Sequence, residues 1–250
     1  MLTIKYKMIS AFLIVLLGFG LTACASKNSE NNKYTGTVEC KEFYITSEVA
    51  GKVDNVFINE GDKIKENDSA VSIDASTYEV QKNQAEGELE TAQAAFDSLP
   101  ANTPDNNKKQ VEGKLKAAQA AVDLSKLNVS KCNVKSSNTG VVSEVLVNKG
   151  EMVGQGGNVA RVLDVNNKYI KIYVEQSKRD KIKLNDKLKI YYNGKNVGEG
   201  TVSYVAPEAE FTPKNTETKS DKESTVFEVK LKLNSDFKYS PGTLIDVEIK

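Results

Sequence analysis

The chain has 250 residues, no histidine and no tryptophan, and its 34 basic residues balance 34 acidic ones. That neutrality removes the electrostatic case for binding nucleic acid. Without histidine the chain lacks the commonest general base and the commonest transition-metal ligand, so the usual tools of catalysis are missing, though catalysis is not thereby excluded, and no metal site is expected.

Taken in order, Lys5 and Lys7 precede a run from Met8 to Ser26 that carries no charge, with its apolar heart at 11–17. A short apolar run that polar residues follow at once fits an export signal, residues 1–23, better than a spanning helix. The run closes on Leu21-Thr22-Ala23-Cys24, which is similar to the lipobox of bacterial lipoproteins. That resemblance implies cleavage before Cys24, a diacylglycerol on its thiol, and a protein held at the extracytoplasmic face of the cell membrane. Stable anchoring needs more than one buried acyl chain. Losing Lys5 and Lys7 leaves the mature chain slightly acidic. Residues 24–33, polar and rich in Ser, Asn and Lys, read as a flexible tether.

From Tyr34 the sequence turns β-rich, with Val38, Phe43, Tyr44 and Ile45 among polar residues. An internal repeat follows. Residues 49–74 read VAGKVDNVFINEGDKIKENDSAVSID, and residues 138–164 read NTGVVSEVLVNKGEMVGQGGNVARVLD. Gly51 aligns with Gly140, Val53 with Val142, Val56 with Val145, Ile58 with Val147, Gly61 with Gly150 and Asp62 with Glu151, at an offset of 89. One extra residue in the second copy then brings Ala70 onto Ala160 and Asp74 onto Asp164. Each copy alternates apolar and polar residues for two short strands around a Gly-acid turn, where Gly61 and Gly150 can take positive φ. Either copy alone is too short to bury a core, so the two are expected to pack as one small β-sandwich with pseudo-twofold symmetry. The stretch Gly154-Gln155-Gly156-Gly157 precedes a strand and lacks the Lys-Ser/Thr of a phosphate loop, so it reads as a β-turn.

Residues 75–137 are of another kind. Ala85, Leu89, Ala92, Phe96 and Leu99 fall at heptad spacing, as do Val111, Leu115, Ala118, Val122, Ser125 and Val129. Pro100 stops the first run, and Thr103-Pro104 reads as an N-cap followed by a first-turn proline. The spacing predicts an antiparallel coiled-coil hairpin with arms of roughly 20–25 residues, about 30–38 Å long. Cys40 and Cys132 leave two readings open. Export permits a disulfide, whose long loop would stabilise by about 4–5 kcal/mol in the chain-entropy model; two unpaired thiols are the other reading.

After Asp164 alternating segments at 169–174, 187–192, 197–205, 226–233 and 244–249, with an Asn193-Gly194 turn, predict a small antiparallel β-barrel over 165–250. The one long irregular piece, 208–224, has a length typical of functional or disordered loops. Phe211 within it either meets a partner or folds back on the barrel.

The two half-motifs look like the halves of a biotinyl/lipoyl domain, spanning 34–74 and 138–164. Ile73-Asp74-Ala75-Ser76 offers no lysine for modification, so neither lipoyl nor biotinyl cofactor is expected. A split lipoyl-like sandwich interrupted by a helical hairpin and followed by a barrel resembles the membrane fusion proteins, or periplasmic adaptors, of the HlyD type, over about residues 36–250. The stretches EFTPKN at 210–215, 226–233 and PGTLIDV at 241–247 are similar to the barrel of adaptors that serve ABC transporters. Phe211, Pro213 and Lys214 thereby become candidate partner contacts. The resemblance implies a non-enzymatic, mainly β adaptor subunit of an ABC-type export system, contacting the permease and assembling with copies of itself. Adaptors that dock on an outer-membrane channel carry an Arg-Leu-Ser/Thr motif at the hairpin tip. The tip here, 97–109, has no arginine, which argues against such a channel. The alternative reading is a surface lipoprotein that binds a small solute or cell-wall polymer.

Overall fold

The structure, a computed structural model, describes residues 32–211 and 225–249. Its organising feature is the way the two sequence copies complete each other. The first copy contributes β2 (Gly51–Val56), β3 (Lys63–Ile64) and β4 (Ser69–Ile73); β1 (Lys33–Thr46) precedes it. The second contributes β5 (Asn133–Lys135), β6 (Gly140–Val145), β7 (Met152–Val153) and the first part of β8 (Asn158–Glu175). Each copy passes its short strand to the other. β3 pairs with β6 (Lys63 with Val141, Ile64 with Gly140), and β7 pairs with β2 (Met152 with Lys52, Val153 with Gly51). The two ladders are images of one another at the 89-residue offset. The flanking hydrogen bonds repeat too: Gly61 N–H donates to Val142 O and Gly150 N–H to Val53 O, both at 2.8 Å.

The offset then holds without interruption, which corrects the alignment expected from sequence. β2 pairs with β4 through Val53–Ile73 and Val56–Val71, while β6 pairs with β8 through Val142–Val162 and Val145–Ala160. Val71 is therefore the equivalent of Ala160, and no extra residue separates the copies. Even the bulges coincide, between Val53 and Asn55 and between Val142 and Glu144. A one-residue slip would turn a strand's side chains to its other face, and Val71, Ile73, Ala160 and Val162 all lie in one buried core. The repeat also starts earlier than the sequence suggests. Ile45 pairs with Ala160 as Val134 pairs with Val71. Ser47 and Ser136, both buried, donate their hydroxyls to Val49 O at 2.6 Å and Asn138 O at 2.7 Å.

Between β4 and β5 stand α1 (Ser76–Asp97) and α2 (Asp105–Lys131). The predicted heptad positions form the shielded face of each helix, and Val122 and Ser125 are fully enclosed. Ser125 satisfies its hydroxyl on Val122 O at 2.8 Å, so a polar residue sits in the seam without an unpaired donor. The tip differs from expectation. Pro104, with φ −55° and ψ 139°, takes the N-cap position, and the Thr103 hydroxyl turns back to Pro100 O at 2.7 Å instead of capping the helix.

The barrel closes through six strands in the order β1-β8-β12-β10-β9-β13 and back to β1. Its own strands are β9 (Lys187–Tyr192), β10 (Lys195–Val205), β12 (Thr225–Lys232) and β13 (Leu244–Glu248), with the short β11 (Glu210–Phe211) paired at one edge of β12. The predicted hairpin turn is present, with Asn193 and Gly194 at φ 49° and 76°. Val38, Ile170, Ile172, Ile190, Leu231 and Val247 fill the interior, so the barrel is a packed core.

Two strands run through both bodies. β1 pairs with β13 from Lys33 to Thr37 and with the sandwich part of β8 from Lys41 to Thr46. The register jumps between Cys40 and Lys41, opposite Lys168 and Asp164. The lipoyl-like half expected to begin at residue 34 thus begins beyond this bulge. Val38 belongs to the barrel core and Ile45 to the sandwich core.

Three glycine substitutions test this packing. A Cβ at Gly140 would lie 2.5 Å from the Leu163 carbonyl oxygen, so Gly140→Ala must shift backbone. Gly61→Ala meets nothing but carries φ 90°, a strain of about 1–2 kcal/mol. Gly87→Ala, in the middle of α1 with open space around it, should stabilise by up to about 1 kcal/mol. Thermal denaturation is expected to rank Gly140→Ala lowest, then Gly61→Ala, with Gly87→Ala at or above the parent.

Candidate adaptor surfaces

The hairpin is rooted on the sandwich from both helices. Tyr78 on α1 donates its hydroxyl to Ala50 O at 2.7 Å, and Lys131 at the end of α2 pairs with Glu48 at 2.9 Å. Between them Ile73 N–H reaches Cys132 O at 2.7 Å, so the chain leaves and re-enters the sandwich side by side. Asp74 receives the Ser76 hydroxyl at 2.5 Å and its amide at 2.9 Å, and these bonds hold its carboxyl below the usual range. The segment that carries the modified lysine in a true carrier is here a cap for the first turn of α1.

The four predicted glycines divide by task. Gly61 and Gly150, at φ 90° and 91°, turn the chain before each exchanged strand. Asp62 and Glu151 close those turns by accepting the amides of Asn59 and Asn148 at 2.8 and 2.9 Å. Gly51 and Gly140 serve close approach, since a Cβ at either would lie 2.5 Å from Ile73 Cγ2 or Leu163 O. Ser47 and Ser136 complete the set and escaped the sequence reading. Their signal is a serine four residues before each first glycine, visible only once the offset is extended upstream.

Cys40 and Cys132 are both free thiols. The disulfide is not formed, because Cys132 packs in the sandwich core while Cys40 lies at the bulge of β1, beside the barrel. Burial first, then the carboxylates of Asp164 and Glu42, push the Cys40 thiol up. Burial, then Glu79 and Asp74, do the same for Cys132.

On the barrel wall Lys171 joins Glu39 at 3.1 Å, and Lys230 joins Glu228 at 3.1 Å while lying over the rings of Tyr169 and Tyr204. At the barrel end nearer the sandwich, the buried Lys168 gives its ammonium to the carbonyls of Phe237 and Tyr239. The partner loop proposed from sequence is reached only at its edge. Phe211 closes β11 opposite Thr225, while Pro213 and Lys214 lie outside the described residues, as does Cys24. Among the described residues no three His, Cys, Asp or Glu side chains are placed to hold a metal, and no helix is long and apolar enough to cross a membrane.

A split sandwich bearing a rooted helical hairpin and joined by two continuous strands to a filled barrel defines an adaptor-type scaffold. Residues 41–165, half of the chain, match the family model described as RND MFP, barrel-sandwich hybrid domain. The chain belongs to the membrane fusion protein family. Its fold is similar to that of a MacA–MexA chimeric protein containing the α-hairpin domain of Pseudomonas aeruginosa MexA. The TM-score is 0.73 and the identity 19%, over 87% of this chain and 78% of that one. It is also similar to the membrane fusion protein Spr0693 of Streptococcus pneumoniae R6, with TM-score 0.68 and 18% identity over 87% and 98% of the two chains. A 36 kDa antigen of Helicobacter pylori strain J99 is 34% identical over 64 residues, which is 26% of this chain. The match spans about a fifth, 20%, of that curated relative's length.

The thiols supply a direct check. Without reductant, the folded protein should react slowly with a thiol reagent at neutral pH, Cys40 before Cys132, and peptide mass spectrometry should find both of these thiols labelled in full on unfolding. Recovery of neither would show that the two are bonded after all.

Proposed function

We propose that the protein is a non-enzymatic, lipid-anchored adaptor subunit of an ABC-type export system at the extracytoplasmic membrane face. It would assemble with copies of itself and carry neither lipoyl nor biotinyl groups. The observation that supports this reading best is the rooting of the hairpin by Tyr78–Ala50 and Lys131–Glu48, which gives a stiff arm a defined direction from the sandwich. An arm of 27 residues is about 40 Å long. The choice of an ABC transporter rests on the likeness of 210–215 and 241–247 to the barrels of such adaptors, whereas the matching family model is named for the RND class.

The solute-binding alternative is less well supported. The aromatic side chains that could line a cleft, Tyr192, Phe237 and Tyr239, pack on one another at 4.6 and 5.3 Å between ring centroids.

Cross-linking in native membranes followed by capture of this protein should recover a permease and its ATPase, and a deletion strain should lose export of the substrate. Recovery of an RND pump would replace the ABC assignment and leave the adaptor reading intact. Capture of no transporter, with export unchanged in the deletion strain, would falsify it. Cys24→Ser should release the protein from the outer face and abolish export.

A further inference from the structure

The end of the barrel from which the sequence leads back to Cys24 gathers exposed lysines around an exposed leucine. Asn32 is clamped there: its carbonyl accepts the Ile249 amide at 2.8 Å, and its side chain accepts Lys178 Nζ at 2.6 Å. The segment from α3 (Gln176–Arg179) to the start of β9 lies across this same end, because Glu175 holds Tyr34 at 2.5 Å and Lys189 pairs in register with Glu248, itself opposite Lys33. Ile182 turns inward and joins the barrel core. Lys181, Lys183 and Lys187 are exposed, and Leu184 stands 61% exposed beside them.

Three of the local acids are engaged, while Glu199 stands opposite Lys189 at this same end. Asp186 accepts the Lys183 amide at 2.8 Å, Asp180 pairs with Arg179 at 3.4 Å, and Glu248 takes the Tyr191 hydroxyl at 2.7 Å. Among the described residues no carboxylate lies within ion-pair reach of Lys181, Lys183 or Lys187. A chain without net charge thus presents three ammonium groups, unpaired among the described residues, around an apolar side chain at the end from which the sequence leads back to Cys24.

We infer that this barrel end, Lys181, Lys183, Leu184 and Lys187, is a membrane-contact surface that rests on anionic phospholipid headgroups. The inference rests on the lipid anchoring proposed above. Cys24 lies eight residues before Asn32, a reach of at most about 30 Å, so the acyl chains hold this end near the bilayer. Each lysine at an anionic surface adds about 1 kcal/mol within a Debye length. The acyl chains keep the protein on the membrane, and the lysines with Leu184 orient the barrel upon it.

The test uses the lipidated full chain in vesicles of phosphatidylcholine alone or with phosphatidylglycerol. Lysine acetylation is followed by mass spectrometry at Lys181, Lys183 and Lys187, with the exposed hairpin residue Lys116 as reference. The three should react severalfold more slowly on anionic vesicles only, high salt should restore the rate, and Lys116 should not change. Equal rates on both vesicle types would overturn the inference. So would protection that appears only with a co-reconstituted permease, or that follows protein concentration rather than lipid, since those patterns belong to a protein partner or a second copy. The same spectra report acylation at Cys24. If that cysteine is bare, the anchor reading fails by itself and vesicle flotation of the unlipidated protein tests the surface. There the substitutions Lys181→Gln, Lys183→Gln and Lys187→Gln together should weaken binding to anionic vesicles about a hundredfold, three charges at about 1 kcal/mol each; unchanged binding would overturn the surface.

Discussion

The reciprocal pairing of β3 with β6 and of β7 with β2 is the constraint on which the rest of the structure depends. Each sequence copy lacks a strand that only the other can supply. The buried surface is therefore shared: Val53 and Val142, Ile64 and Val153, and Ile73 and Val162 enter one core as symmetry-related pairs. Because closure is made by strands distant in the chain, the connection between the copies is free to be long. Loop-closure entropy rises only slowly with length, and a stiff hairpin whose two ends meet at Ile73 and Cys132 adds little disorder to the fold.

The same symmetry explains where the other parts attach. The hairpin leaves after Ile73 and returns at Asn133, and the equivalent positions in the other copy are Val162 and Tyr44, where β8 and β1 continue into the barrel. One twofold relation thus offers two equivalent exits from the sandwich. A helical arm occupies one and a barrel the other. The helical arm and the barrel are thereby held apart without any further device.

Between sandwich and barrel the coupling is by continuous backbone. β1 and β8 remain paired on both sides of the bulge at Cys40 and Lys41. Beside that bulge the buried Lys168 has no carboxylate partner among the described residues and is satisfied by the carbonyls of Phe237 and Tyr239, which ties the loop before β13 to β8. A buried ammonium must be hydrogen-bonded to be tolerated, so this clasp fixes the loop that closes the barrel beside the bulge.

Much of this was legible from residues alone, wherever the signal is local. The heptad seam, the Asn193-Gly194 turn, the strand alternation of the barrel and the turn glycines Gly61 and Gly150 each follow from a short-range rule of period or backbone conformation. The sequence by itself also determined that the chain holds two copies of one motif, since six matched positions share one offset. What it did not determine are the facts that depend on pairing across the chain. The exchange of short strands, the uninterrupted offset that places Val71 rather than Ala70 on Ala160, the paired serines Ser47 and Ser136, the free thiols and the division of β1 between two cores all belong to that class. Two chance identities, Ala70 with Ala160 and Asp74 with Asp164, outweighed the register in the linear comparison. Only the tertiary structure decides register, because hydrogen-bonded partners and a shared core penalise a one-residue slip that a linear alignment barely notices.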